Sequence, residues 1–109
     1  MAQVIWSKLA EDQLHRAVLY IRDDQGLFYA RLVLNQILEA VDVLETHPKS
    51  GPREPLLRHR KYEYRYIVVW SYKIVYRIVG SRVAIARVFH TAQRPTKLVR
   101  PSKPKRGTN

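Results

Sequence analysis

The sequence predicts an α+β domain: a short N-terminal strand and an α-helical hairpin packed on a mostly antiparallel sheet of about four strands. Three observations carry that expectation. Up to Glu45, apolar residues recur at helical spacing around one glycine break. From Tyr62 to His90 the chain is rich in β-branched and aromatic residues, with Gly80 its one glycine and no proline. Between the two regimes lies Lys49-Ser50-Gly51-Pro52-Arg53, a loop by its Gly and Pro content.

Each element follows in order. Val4-Ile5-Trp6 reads as the opening strand. Ser7 can N-cap a helix, with Glu11 and Asp12 near its positive end. Ala10, Leu14, Ala17, Val18 and Ile21 then form one helical face, and Gly26 is the stop. A second helix is expected over about Phe28 to Glu45. Its stripe of Leu32, Val33, Leu34, Ile37, Leu38, Val41, Val43 and Leu44 is wide enough to predict cover on more than one side. His47-Pro48 ends it. Strands are expected at about Tyr64–Val69, Tyr72–Val79 and Val83–Phe89, joined by turns at Trp70-Ser71 and Gly80-Ser81.

Register then divides the sheet into two faces. A two-residue turn at Gly80-Ser81 sets Ile78 opposite Val83, Tyr76 opposite Ile85 and Ile74 opposite Arg87. The face with Tyr72, Ile74, Tyr76, Ile78, Val83, Ile85 and Phe89 is expected beneath the helices. Arg87 would lie on it too, and a buried Arg needs an acidic partner or a place at the rim. The other face would carry Lys73, Val75, Arg77, Val79, Ala84, Ala86, Val88 and His90. Tyr64, Tyr66 and Val68 join it if Trp70-Ser71 is also a two-residue turn; a one-residue slip reverses the two tyrosines.

The chain has 109 residues, 20 Lys+Arg, 9 Asp+Glu, no Cys and a net charge of +11. That length suits one domain, expected over 1–92, followed by a basic and flexible tail over 93–109 in which Arg94 is the first cation. Lack of Cys removes disulfides, thiolate zinc sites and a Cys nucleophile. The four histidines show no zinc spacing, and the basic half holds Glu54 and Glu63 as its two acids, too few for two-metal chemistry. Neither a metal nor a cofactor is expected. No export or membrane-spanning signal is visible, so the expected location is cytoplasmic. Residues 1–47 carry a net −3 and residues 48–109 a net +14. The expected partner is therefore acidic or polyanionic, engaged through the second half.

Candidate binding residues lie in that half. Arg58, Arg60 and Lys61 form a basic run able to follow a phosphate backbone, though an exposed loop is equally natural. Tyr64 and Tyr66 can stack on bases or simply pack in the sheet. Lys73 and Arg77 can clamp a phosphate or an acidic side chain. His90 can exchange a proton near neutrality. No Walker loop, dinucleotide fingerprint or basic recognition helix is present.

Four passages give the chain a family likeness: Val4-Ile5-Trp6-Ser7 with Ala10 and Leu14; Leu44 to Pro48 with Gly51; Tyr72-Lys73-Ile74-Val75-Tyr76-Arg77-Ile78; and Ile85-Ala86-Arg87-Val88-Phe89-His90. In order and spacing they resemble the ParE/RelE superfamily of type II toxin–antitoxin toxins, over about residues 3–95. The resemblance implies a toxin neutralised by a cognate, acidic antitoxin that covers its sheet and helices in a toxin–antitoxin hetero-oligomer. RelE-like members are ribosome-dependent, metal-independent mRNA endonucleases; ParE-like members inhibit DNA gyrase. On the RelE-like reading Lys73, Arg77 and His90 would be catalytic. Yet Lys73 stands where that group usually has Arg, Tyr64 and Tyr66 replace its paired lysines, and no Tyr follows His90 in Thr91-Ala92-Gln93-Arg94. The ending Val88 to Arg94 is more similar to ParE-type toxins, which makes gyrase inhibition the preferred reading. The endonuclease is the alternative, and a non-toxic RNA- or ribosome-binding module a further one.

Overall fold

A computed structural model describes residues 2–92 of the chain; Arg94 and the predicted tail lie outside the described residues. The elements run β1 (Gln3–Trp6), α1 (Lys8–Gln25), α2 (Leu27–Val43), a 3-10 turn (Pro55–Leu57), β2 (Glu63–Val69), β3 (Tyr72–Val79) and β4 (Arg82–His90). The sheet order is β1-β4-β3-β2, with β1 parallel to β4 and the other pairs antiparallel. This is the expected α+β architecture.

Ser7 starts α1 as its composition suggests, its hydroxyl accepting from the Ala10 N–H at 3.0 Å. Gly26 alone links the helices. It closes α1 and opens α2 at φ +100°, a conformation that strains any side-chain-bearing residue. The second helix ends at Val43, two residues short of expectation. Leu44, Glu45 and Thr46 instead make tight bonds back to Val41, Asp42 and Val43.

The core lies between the helices and one sheet face. Ala10, Ile21, Ala30, Val33, Ile37, Val41 and Leu44 meet Tyr72, Ile74, Tyr76, Val83, Ile85 and Val88 there. The wide stripe of α2 is covered from two directions, by α1 and by the sheet at β2, as expected, although part of the helix surface stays open. Leu27, Phe28, Leu38 and Val43 are exposed, Phe28 at 74%.

Pairing confirms the two hairpins but breaks the expected register in β4. Ile78 faces Val83 and Tyr76 faces Ile85 as read from the Gly80-Ser81 turn. Beyond them an extra residue, Ala86, bulges from the strand, so that Val75 pairs with Arg87 and Ile74 with Val88. Four side chains change faces. Arg87 and Phe89 move to the face away from the helices, while Val88 and His90 turn toward the helical side, where His90 lies edge-on to Tyr72 at 5.3 Å. Arg87 thus leaves the core, and among the described residues the acidic partner expected for it within the fold is not found. Helix α1 holds the bulge: the Ser7 hydroxyl donates to the Ala86 carbonyl at 3.3 Å, and the Val88 N–H donates to Gln13 Oε1 at 2.7 Å.

The connection after α2 folds against the outer edge of β2. Tyr66 N–H donates to the Pro52 carbonyl and Glu54 N–H to the Tyr64 carbonyl. Gly51 is required here, because a Cβ would stand 2.1 Å from the Tyr66 carbonyl oxygen. The Tyr76 hydroxyl ties the same loop down, donating to the Pro48 carbonyl at 2.6 Å and accepting from the Gly51 N–H.

Candidate functional site

Three cross-strand rows fill the middle of the sheet face opposite the helices, beyond an end row of Gln3, Arg82 and Val79. Tyr64, Arg77, Ala84 and Ile5 form the first, Tyr66, Val75 and Arg87 the second, and Val68, Lys73 and Phe89 the third. Because Trp70-Ser71 is a two-residue turn, with Val69 paired to Tyr72, Tyr64 and Tyr66 lie on the face expected for them. Leu57, carried by the 3-10 turn, packs on fully buried Val75 together with Tyr64, Tyr66 and Phe89. That contact anchors the basic loop to the sheet, and Arg58, Arg60 and Lys61 are exposed just beyond it.

At the centre lies a residue that no motif singled out. Glu54 is 1% exposed, and its carboxylate meets the Lys73 ammonium at 2.6 Å. Its second oxygen accepts from the Leu56 N–H, capping the 3-10 turn. The Lys73 ammonium also stands 4.2 Å from the centre of the Tyr66 ring. Lys73 is thus held by a carboxylate and an aromatic face, and most of its charge is spent inside the protein.

Arg77 is arranged differently. Its guanidinium lies 4.7 Å from the centre of the Tyr62 ring, and Lys61 approaches the same ring at 5.5 Å. Arg87, aimed outward by the bulge, is partly buried, and among the described residues no carboxylate pairs with Arg77 or Arg87. The other acid of this half, Glu63, is engaged elsewhere. Arg65 donates to it, and that hydrogen bond holds the Glu63 carboxyl below its ordinary value.

The site residues expected from sequence therefore separate. Lys73, Arg77, Tyr64 and Tyr66 share the open face, flanked by Arg58, Arg60 and Lys61. His90 is on the helical side of β4, where Nδ1 accepts from the Ala92 N–H at 3.0 Å. Arg94 lies outside the described residues. Sequence reasoning missed Glu54, Tyr62 and Arg87. The scarcity of acids after Pro48 pointed at Glu54, since a carboxylate kept in so basic a segment has cations within reach. Arg87 was hidden by the bulge. Among the described residues, no group of three or more His, Cys, Asp or Glu is placed to hold a metal, and no helix is long and apolar enough to cross a membrane.

What this arrangement can do is bind. It offers two guanidinium groups beside the half-buried Ala84, with Tyr62, Tyr64, Tyr66 and Phe89 around them. Comparison with known proteins agrees with the fold. The family model described as ParE toxin of type II toxin-antitoxin system, parDE, matches residues 4–95. Among solved structures, a chain of the chromosomal ParDE TA system from P. aeruginosa is similar, with a TM-score of 0.68 and 18% identity. The match covers 83% of this chain and 96% of that one, and at such identity the likeness concerns the fold. No curated protein matches the chain.

Proposed function

The chain belongs to the ParE toxin family of type II toxin–antitoxin systems, and we propose that it arrests growth by binding and inhibiting DNA gyrase rather than by cutting RNA. Membership makes it the toxin of a two-part system that a cognate antitoxin counters. The gyrase target is the finer step, and one observation carries it: the groups a metal-free ribonuclease would use do not converge. Such an enzyme needs a proton acceptor, cations on the phosphorane and a donor for the leaving oxygen. Lys73 is paired with buried Glu54, and His90 is on the far side of the sheet from Arg77. The remaining open face has the makings of a protein-binding surface, apolar and aromatic with two fixed cations. Action on gyrase places the toxin in the cytoplasm, and inhibition by binding makes it no enzyme.

The Lys61, Tyr62 and Arg77 stack favours the second reading, ribosome-dependent mRNA cleavage, because such a platform suits bases and phosphates. Two assays on purified chain separate them. Gyrase supercoiling should be inhibited in proportion to added toxin, while primer extension on mRNA under translation should show no new ends. Codon-positioned cuts with untouched supercoiling would overturn the gyrase reading.

A further inference from the structure

We propose that Arg77 and Arg87 together form the seat for a carboxylate of the antitoxin, and that the β4 bulge exists to complete it. The inference rests on the family's antitoxin partnership and not on the gyrase target. It starts from chemistry the fold leaves unused. Arg87 is partly buried, and a charge withdrawn from water without a counter-charge is unfavourable. Among the described residues no carboxylate pairs with it. The two acids of the basic half are both occupied, Glu54 by Lys73 and Glu63 by Arg65.

Geometry supplies the second argument. Val75 pairs with Arg87 and Arg77 with Ala84, so the two arginines are diagonal neighbours on adjacent strands, roughly 7 Å apart at the backbone. One carboxylate can bridge guanidinium groups at that spacing, since each presents a fork of donors. Arg77 is already oriented by stacking on Tyr62. Arg87 is oriented by the bulge, whose carbonyl and N–H are held by Ser7 and Gln13 of the opposite layer. Without Ala86 as an extra residue, Arg87 would point into the core.

The occupant follows from complementarity. The face is cationic where Arg77 and Arg87 stand and apolar around them, at the half-buried Ala84, Tyr64, Tyr66 and Phe89. That favours a peptide carrying Asp or Glu beside Leu- or Ala-like side chains. A nucleic acid would find Lys73 already neutralised. Gln13 is then a positioning residue, acting on the seat only through the bulge.

The test uses the full chain and a labelled, acetylated and amidated peptide repeating Glu-Ala-Leu, with a Gln-Ala-Leu peptide and oligodeoxythymidylate as comparators. The acidic peptide should bind, and each of Arg87→Gln and Arg77→Gln should weaken it about tenfold with little further loss in the double variant. Gln13→Ala should weaken it less, about threefold, while Arg31→Gln, which removes the same charge from the exposed side of α2, leaves it within about twofold. Arginine side-chain NMR signals of Arg77 and Arg87 should shift together on titration, a readout that a merely structural role does not move. Equal binding of the Gln peptide, affinity indifferent to both arginines, or oligodeoxythymidylate alone sensitive to them would each overturn the proposal. Gyrase takes no part, so failure here leaves the target question where it was.

Discussion

Glu54 shows how one carboxylate can organise a basic surface. It neutralises Lys73, caps the 3-10 turn at Leu56 and pairs its main chain with Tyr64. Removing one partner of a buried pair strands the other, at about 3–5 kcal/mol when both are dry. Lys73 keeps 20% of its side chain exposed, so Glu54→Gln should cost less, about 2–3 kcal/mol in urea unfolding. Replacing both, Glu54→Leu with Lys73→Met, should recover most of that loss; a double variant as weak as the single would contradict the ion-pair account. Tyr76 is the second key residue. Tyr76→Phe removes a donor to Pro48 and an acceptor for Gly51, and should cost about 1–3 kcal/mol. Burial holds the Tyr76 phenol above its ordinary 10.0, whereas the unfolded chain titrates near that value. The neutral phenol's contribution is therefore whole below pH 10 and fades as pH climbs through the folded value. The stability gap between the native chain and Tyr76→Phe should narrow in that alkaline range. Neither role was legible in the sequence, because both depend on which loop atom meets which strand.

The individual helices and strands were far more legible. Ser7, Gly26, the Gly80-Ser81 turn and the β-branched run each carry a local rule, and the structure follows each to within a residue or two. The bulge is the exception with consequences. Its cause is not in β4 but in Ser7 and Gln13, some 75 residues and more away in the chain, and no periodicity argument within a strand can see that. Trp70 is a related case. It has φ +56° in a turn whose first position favours glycine, and its indole donates to Gln36 on α2. A bulky residue there stores about 1–3 kcal/mol of strain. Trp70→Gly trades that strain for chain entropy and a lost surface bond, so unfolding should show a change between zero and about 1 kcal/mol of stabilisation. A loss above about 1 kcal/mol would mean that the indole, bridging hairpin and helix, outweighs its own strain.

Across the whole molecule, charge and fold divide along the same line. The helical half is acidic and the sheet half basic, an asymmetry that composition revealed before any coordinate. What composition could not reveal is how much of the basic charge is already spent, on Glu54, Glu63 and aromatic rings. We propose that residues 1–92 are a sufficient folding unit. Truncation there removes six Lys/Arg and no acid, leaving a net charge of +5. The truncated chain should melt within a few degrees of the full one, while its affinity for polyanions loses salt sensitivity. A collapse in melting temperature would show that residues beyond 92 pack on the domain. The sheet order has a consequence for synthesis as well. The first strand to be made, β1, finds its partner only in β4, the last, and α1 grips that same strand through Ser7 and Gln13. While β4 is still unmade, a growing chain has nothing to seat β1 or to complete the open face. Folding waits on a contact between the two ends of the domain, and such distant closures are slow. The face that would meet a partner is therefore finished only when the two ends of the domain have met, so its completion is the last step of folding rather than an early one.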